Sequence, residues 1–204
     1  MPARIYLASK SPRRRELLRQ INVQFELLLF RQGERTDADV DETPLAGEAP
    51  YDYVERLARR KAEGGVRRLH WRRLPLRPVL AADTTLDLDG KIIGKPESNE
   101  HAMETLRQLS GRSHRILTGL SISDDRRTES LINISSVHFR QMDDAEIRRY
   151  VHTGEPNDKA GAYGIQGRAA MFIERIEGSH SGIMGLPLFE TAQLLKRFNL
   201  PVLD

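Results

Sequence analysis

Three consecutive arginines near the start of the chain stand where a phosphate group could be bound. Residues 5–7 predict a short apolar strand, and Ser11 followed by Pro12 predicts the start of a helix over 12–20. The arginines at 13–15 then lie in or beside the first helical turn, where the helix dipole disfavours each cation by roughly 0.3–1 kcal/mol. Unpaired backbone N–H groups at the same end attract anions, phosphate above all. This arrangement predicts a polyanion-binding site.

A single acidic residue inside an apolar run is the second candidate. Asp83 lies in a predicted strand over 79–88, and an ionised carboxylate among apolar side chains needs a cation, hydrogen bonds or a metal. The alternative is an exposed edge strand whose acid is only solvated. The small residues Ala81 and Ala82 favour the first interpretation, with Asp83 on the floor of a cleft.

A lysine follows this strand across a predicted hairpin. Asp89-Gly90 between two apolar runs is a strong signal for a two-residue turn, which would pair Thr84 with Lys95. A glycine bulge would shift the register by one residue and set Lys95 opposite Asp83. Both registers bring Lys95 close to these two residues, although they leave open which way it faces.

A segment rich in glycine, residues 157–167, is the third candidate. Gly161, Gly164 and Gly167 allow close approach of the backbone, and Gln166 offers both a donor and an acceptor for the edge of a base. The segment does not match a dinucleotide-binding fingerprint, because Gly161 follows a polar turn and not a buried strand. A tight loop joining two strands fits the spacing equally well.

The elements that must position these residues alternate between strands and helices. Apolar runs predict strands at 3–8, 23–29, 79–88, 91–95, 114–123, 130–140 and 170–177. Helical patterns occur at 12–20, 50–63, 98–109, 143–152 and 187–197. This order predicts an α/β fold with a mixed central sheet. Residues 31–49 are acidic and lack apolar periodicity, which predicts a loop that orders around substrate or metal.

Composition limits the classes of protein to consider. With 204 residues and 39% hydrophobic content, the chain can form one core or two small lobes around a cleft. It has no apolar run of membrane-spanning length and no signal peptide, so we expect a cytoplasmic protein without membrane contact. The absence of cysteine excludes disulfides, thiolate metal sites and a cysteine nucleophile. Neither GxxxxGK(S/T) nor HExxH nor GxSxG is present, and the histidines are scattered, with His114 and His138 expected to be structural.

A basic stretch lies between residues 56 and 77. It holds eight arginines, Lys61 and a single acid, Glu63, although the whole chain has a net charge of only +3. Binding to nucleic acid, with Trp71 as a stacking partner, is one interpretation. A solvated helix face followed by a surface loop is the other, and we favour it because charge blocks alone are weak signals.

Seven ordered motifs resemble the Maf family of nucleoside triphosphate pyrophosphatases. They are LASKSPRRRELL at 7–18, YVERLARRKA at 53–62, VLAADTTL at 79–86, GKP at 94–96, LSGRSHRILTGL at 109–120, DKAGAYGIQG at 158–167 and GLPLFET at 185–191. The resemblance implies a single domain over 1–204, with the mixed sheet flanked by helices and two lobes around a substrate cleft, as in inosine triphosphatase-like proteins. The motif DKAGAYGIQG is similar to the corresponding segment of the branch that acts on dTTP and UTP.

The family resemblance also implies a chemistry and its residues. It implies hydrolysis between the α and β phosphates, giving a nucleoside monophosphate and pyrophosphate, with Mg²⁺ or Mn²⁺ as cofactor and no metal ligand assigned. Asp83 matches the proton acceptor, and the positions matching substrate specificity are Arg13, Thr84 and Gln166. The positions expected around the phosphates are Ser9, Arg14, Lys61 and Lys95. The chain departs from the family pattern at Thr85-Leu86 and at Gly94, which bears on packing below the acid and on a metal contact.

The expected partner is therefore a nucleoside triphosphate, and canonical and modified pyrimidine bases stay open as alternatives. A homodimer rests on the resemblance alone, and we do not expect nucleic acid as a partner. Two other functions stay open at this point: a regulatory protein that binds nucleic acid or a division partner, and a pyrophosphatase that removes the purine nucleotides ITP and XTP.

Overall fold

One mixed sheet organises the part of the chain that the structure describes, which is residues 4–29, 40–200 and 202 of a computed structural model. Its seven strands are β1 (Arg4–Leu7), β2 (Gln24–Leu27), β3 (Val79–Leu88), β4 (Lys91–Ile93), β5 (Ser113–Ser123), β6 (Thr128–Phe139) and β7 (Ile173–Glu177). They lie in the order β2-β1-β3-β5-β6-β7, and β4 pairs with β3. β1 is parallel to β2 and β3, whereas the remaining pairs are antiparallel.

Six α-helices cover this sheet within the described residues. They are α1 (Pro12–Gln20), α2 (Pro50–Arg72), α3 (Asn99–Leu109), α4 (Asp144–Val151), α5 (His180–Ile183) and α6 (Leu188–Arg197). Three short 3₁₀ helices lie at Glu155–Asp158, Ala160–Ala162 and Arg168–Phe172. The predicted α/β fold with a mixed central sheet flanked by helices is confirmed. No helix of the described segments combines the length and apolarity needed to cross a bilayer.

Most predicted elements are present, and the differences have local causes. α2 continues to Arg72, beyond the predicted end at residue 63, because Gly65 does not stop the helix. A Cβ at Gly65 would lie 2.5 Å from Val79 Cγ1, so this glycine lets the helix lie against β3. The predicted strand at 170–177 begins only at Ile173, after a 3₁₀ turn, and α5 was not predicted. Of the predicted loop at 31–49, residues 31–39 lie outside the described part, and 40–49 form no helix or strand.

α2 lies directly on the sheet beside β5. Its buried side chains recur every three or four residues, at Val54, Leu57 and Ala58, as expected for a helix with one apolar face. A Cβ at Gly119 would lie 2.8 Å from the carbonyl carbon of Val54, so the strand can approach the helix this closely only with glycine. Since Gly119 is the β5 partner of Asp83, α2 passes over the centre of the sheet at that point.

The apolar core divides along β3. Leu80 and Ala82 belong to a cluster built with β1, α1 and α6, whereas Leu86 and Leu88 belong to a second cluster built with α3 and α4. Thr84 lies between the two clusters and faces the same side of the sheet as these residues, because alternate residues of a strand point to the same face. Two apolar groups of the described chain therefore meet at a polar position in the middle of the sheet.

Candidate active site

Asp83 lies in the centre of β3 and is only 8% exposed. β1 pairs with β3 up to Leu80, and β4 pairs with it from Leu86 onward. Among the described strands, residues 81–85 thus pair with β5 alone, which leaves the other side of β3 without a strand at Asp83. Asp83 is therefore a buried carboxylate beside a gap between strands, and not an acid on an exposed edge.

A lysine ammonium joins Asp83 to a second carboxylate. Lys61 Nζ lies 2.6 Å from Asp83 Oδ1 and 2.6 Å from Glu42 Oε1. Burial raises the pKa of Asp83, and the charge and hydrogen bond of Lys61, followed by the charge of Arg14, oppose that rise. The position of Lys61 follows from the close packing of α2 on the sheet.

Glu42 was not identified as a site residue from the sequence. It belongs to the acidic loop that was expected to order around substrate or metal, and this was the available signal. Tyr53 fixes the loop, because its hydroxyl donates to the Glu42 carbonyl oxygen at 3.0 Å. Burial, with the negative charges of Asp83 and Glu42, raises the pKa of Tyr53 to about 12, so its hydroxyl stays protonated.

The first turn of α1, which is rich in arginine, contacts the surroundings of Asp83 through Arg14. Its guanidinium donates to the Gly185 carbonyl oxygen at 2.8 Å, to Ser9 Oγ at 3.2 Å and to Thr84 Oγ1 at 3.3 Å. Burial lowers the pKa of Arg14, and the charge of Asp83 opposes this. Gly185 has φ +104°, and a Cβ there would lie 3.3 Å from Thr84 Oγ1, so glycine suits this contact. Arg14 therefore connects α1, β3 and the turn after α5.

The hydroxyl of Thr84 has a defined orientation. Thr118 Oγ1 donates to the Gly182 carbonyl oxygen at 2.9 Å and lies 2.9 Å from Thr84 Oγ1. Because Thr118 has only one hydroxyl proton, Thr84 must be the donor between the two threonines, and its oxygen accepts from Arg14. Thr118 and Gly182 were not singled out from the sequence, since only the folded sheet brings them to Thr84.

The start of α1 has the capping expected of an anion-binding turn. Ser11 Oγ accepts the backbone N–H of Arg14 at 3.4 Å, and Ser9 Oγ accepts that of Ser11 at 3.2 Å. Arg13 is partly exposed. The pKa of Asp158 is lowered mainly by its hydrogen bond from Lys159, and also by the charges of Lys159 and Arg13. The positive charge of Arg13 therefore favours the ionised form of Asp158 in the glycine-rich segment.

Lys95 does not lie where the hairpin registers placed it. The turn at Asp89-Gly90 has two residues, as predicted, but β4 ends at Ile93, opposite Leu86. Gly94 then turns away, and its carbonyl oxygen accepts from Gly161 N at 3.0 Å. Pairing of Lys95 with Thr84 or Asp83 is therefore wrong. The side chain of Lys95 is exposed.

The glycine-rich segment runs along the other end of β3 and connects α4 to β7, so it does not join two adjacent strands. A Cβ at Gly161 would lie 3.3 Å from Leu86 Cγ, which confirms the predicted close approach. Tyr163 Oη lies 2.7 Å from Nε2 of His114. Burial, and to a smaller extent the charge of His138, lowers the pKa of His114 to about 3, which agrees with a structural role. Gln166 is exposed.

The basic stretch forms ion pairs with the chain itself. Arg56 lies 2.5 Å from Glu48, Arg59 lies 2.9 Å from Glu63, and Arg77 lies 2.6 Å from Glu26. Trp71 lies on α2 and is exposed. These contacts favour the solvated helix face over a surface for nucleic acid.

A divalent metal fits the carboxylates at the centre of the site. Asp83 and Glu42 share Lys61 and present the hard oxygen ligands that Mg²⁺ and Mn²⁺ prefer. Within the described residues, no group of three or more acidic, histidine or cysteine side chains could hold a metal. Two carboxylates suffice where phosphate oxygens and water complete the coordination.

Two surface depressions lie away from this centre. One of about 210 Å³ is lined by Val66, Leu69, Leu76, Arg77, Pro78, Asp124, Asp125 and Arg126. The other, of about 620 Å³, is lined by Arg4, Arg15, Arg19 and residues 22–27. Neither contains Asp83 or Lys61. Side-chain chemistry, and not concavity, identifies the candidate site.

Comparison with known proteins identifies the family of this chain. Residues 4–198 match the family described as Maf-like protein. The chain belongs to the Maf family. It is 68% identical over 201 residues to the dTTP/UTP pyrophosphatase of Aromatoleum aromaticum, covering 98% of each chain. It is 57% identical to the dTTP/UTP pyrophosphatase of Dechloromonas aromatica, covering 95% of this chain and 96% of the relative. Among solved structures, the Staphylococcus aureus Ham1 protein aligns with a TM-score of 0.46 and 20% identity, over 67% of this chain and 71% of that chain.

Proposed function

We propose that this Maf protein hydrolyses dTTP and UTP between the α and β phosphates, releasing the nucleoside monophosphate and pyrophosphate. The observation that carries the proposal is the buried Asp83 carboxylate beside Lys61, Glu42 and Arg14, in a chain with full-length relatives named dTTP/UTP pyrophosphatase. A buried acid flanked by cations suits proton transfer beside a polyanion.

Asp83 acts as the general base in this proposal. A raised pKa makes a carboxylate a stronger base than an exposed aspartate, while the charges of Lys61 and Arg14 favour the ionised form of Asp83. The water oxygen forms a bond to the α-phosphorus as the bond to the oxygen bridging to the β phosphate breaks. The proton released by the water passes to Asp83, and pyrophosphate is the leaving group.

The charge of the triphosphate is balanced by the surrounding cations and backbone. The amino end of α1 offers N–H groups, and the predicted contacts are Ser9, Arg14, Lys61 and Lys95. A bound Mg²⁺ or Mn²⁺ supplies further positive charge at the phosphate oxygens, with Asp83 and Glu42 as the residues that would hold it. Arg13, Thr84 and Gln166 are the proposed specificity residues.

Substitution of Asp83 by asparagine tests this role directly. Lys61 keeps Glu42 as a partner in this variant, so the protein is expected to fold. Pyrophosphate release from dTTP and UTP with Mg²⁺ or Mn²⁺ is expected to fall by about 100-fold or more, the usual size of a general-base contribution. Turnover close to wild type would remove Asp83 from the mechanism.

Asp87 provides a matched control on the same strand. It is also buried, but its carboxylate binds the Arg115 guanidinium and accepts from Gly90 N at 2.7 Å, outside the site. Asp87→Asn is expected to lower thermal stability and to keep the turnover of the folded protein.

A substrate panel of dTTP, UTP, ITP, XTP and 7-methyl-GTP separates pyrimidine from purine specificity. Faster turnover of ITP or XTP would contradict the proposal.

A further inference from the structure

A hydrogen-bonded pair of side chains lies next to the glycine-rich segment, outside every role assigned above. Tyr150 is in α4, and Glu155 opens the 3₁₀ helix that follows the turn at Gly154, where φ is +73°. The Tyr150 hydroxyl donates to Glu155 Oε1 at 3.0 Å. Tyr150 is buried, with its ring edge-on to Phe172, so the hydroxyl is fixed in place.

The backbone on both sides of Gln166 is hydrogen-bonded, and the pair binds the part that follows it. Before Gln166, the Gly164 carbonyl oxygen accepts from the N–H of Gly167 at 3.0 Å, which closes a turn around Gln166. After it, the N–H of Arg168 donates to Glu155 Oε2 at 2.9 Å, and the N–H of Ala169 donates to Oε1 at 3.4 Å. Glu155, oriented by Tyr150, therefore anchors the end of the short turn that carries Gln166.

The sequence of the segment fits this carboxylate closely. A Cβ at Gly167 would lie 2.6 Å from Glu155 Oε2, so glycine is needed for the carboxylate to reach the next two N–H groups. Lys159 supports the same turn, because its Nζ donates to the Glu155 carbonyl oxygen at 2.6 Å. Hydrogen bonds from N–H groups to a carboxylate are stronger than those between neutral groups, which makes Glu155 an effective anchor.

We propose that Tyr150 and Glu155 clamp the 164–169 backbone so that Gln166 is presented to the base of the nucleoside triphosphate. They are positioning residues for base selectivity, and this role rests on the function proposed above. An exposed glutamine on a glycine-rich loop has many conformers, and fixing the backbone on both sides reduces the conformational entropy lost on binding. The phosphate chemistry at Asp83 does not depend on the clamp.

The conservative change Tyr150→Phe tests the clamp without removing the buried ring. KM for dTTP and UTP is expected to rise about three- to tenfold, the effect of losing one hydrogen bond, while kcat stays within about twofold. Preference for dTTP over dCTP is expected to fall by a similar factor. Glu155→Gln, which keeps the shape but not the charge, is expected to give the same pattern.

A double-mutant cycle separates positioning from general destabilisation. If the clamp acts through Gln166, adding Tyr150→Phe or Glu155→Gln to Gln166→Ala will raise KM no further. Independent, multiplying losses would overturn the proposal. So would an unchanged KM in both clamp variants.

Two further variants keep the test decisive if Glu155→Gln folds poorly. Gly167→Ala keeps the Glu155 carboxylate but displaces it, and is expected to raise KM in the same way. Glu146→Gln, a matched change in α4, removes the ion pair with Arg140 and the charge of the capping box, so it is expected to lower the melting temperature and leave KM unchanged.

The outcomes distinguish the clamp from the enzyme function. A wild-type protein that releases no pyrophosphate from dTTP or UTP would refute the proposed function. Wild-type turnover with Asp83 dependence, but with wild-type KM in Tyr150→Phe and Gly167→Ala, would refute the clamp alone. A wild-type KM in Gln166→Ala would also refute it.

Discussion

Replacement of Gly119 by alanine tests whether close packing of α2 sets the geometry of the site. The added methyl group would lie 2.8 Å from the Val54 carbonyl carbon and 3.3 Å from Glu55 N, both of them backbone atoms that no rotamer change can move. To reach 3.4 Å from that carbon, α2 must move away by about 0.6 Å. Lys61 is on the same helix, seven residues after Val54, so its 2.6 Å contact with Asp83 would lengthen as well.

The substitution is expected to lower both the thermal stability and the rate of pyrophosphate release. Overpacking of a tight core costs about 1–3 kcal/mol, and a chain of this size loses about 2–4 °C in Tm per kcal/mol. We therefore expect Tm to fall by about 2–12 °C. Because displacement of a catalytic group by about 1 Å can reduce rates by about 100-fold, pyrophosphate release should fall by about 10- to 100-fold.

Gly64→Ala on the same helix is the control. A Cβ there meets only Arg67 Nη2, at 3.6 Å, and alanine in a helix interior is about 0.5–1 kcal/mol more stable than glycine. This variant should melt at the wild-type temperature or above it, with unchanged turnover. Thermal unfolding and pyrophosphate release measured on both proteins provide the test. A Gly119→Ala protein with wild-type Tm and turnover would refute the packing argument.

Two further predictions concern titration. Burial raises the pKa of Asp83, and the charge of Lys61 lowers it. The acidic limb of the pH profile of kcat/KM should therefore lie above the ordinary pKa range of aspartate, and it should move to higher pH in Lys61→Met. A limb that stays in place would contradict Asp83 as the base. His114 has its pKa lowered to about 3, so its neutral form stabilises the fold fully above about pH 6.5, and this contribution falls by up to about 1.4 kcal/mol per pH unit toward pH 3. Chemical denaturation of wild type and His114→Phe between pH 4 and 7 should show a shallower acid dependence in the variant, and equal slopes would refute this assignment.

Most helix starts and the hairpin turn could be predicted from the sequence because they depend on neighbouring residues. Ser11, Ser98 and Asp143 each accept a backbone N–H three residues ahead, and the capping box of Asp143 with Glu146 is complete. The turn at 89–90 has positive φ at both residues, as the Asp-Gly pair indicates. The placement of Asp83 in a strand and of arginines at a helix start followed from equally local patterns.

The assembly of the site was decided by contacts between distant parts of the chain. Arg14 reaches Gly185 across 171 positions, Thr118 reaches Gly182 across 64, and Lys61 joins Asp83 to Glu42. Periodicity and capping specify an element but not the distance between two elements. For this reason Glu42 could not be placed from the sequence, and the predicted pairing of Lys95 was wrong.

Sequence alone therefore determined the residue types that do the chemistry and the elements that carry them. Tertiary structure decided which of them meet, because the relevant distances depend on how closely α2 and the glycine-rich segment approach β3 and β5. Those approaches occur at Gly65, Gly119 and Gly161, where a methyl group would collide with a neighbour from another element. A glycine in a sequence does not identify that neighbour, since the neighbour is brought to it only by folding.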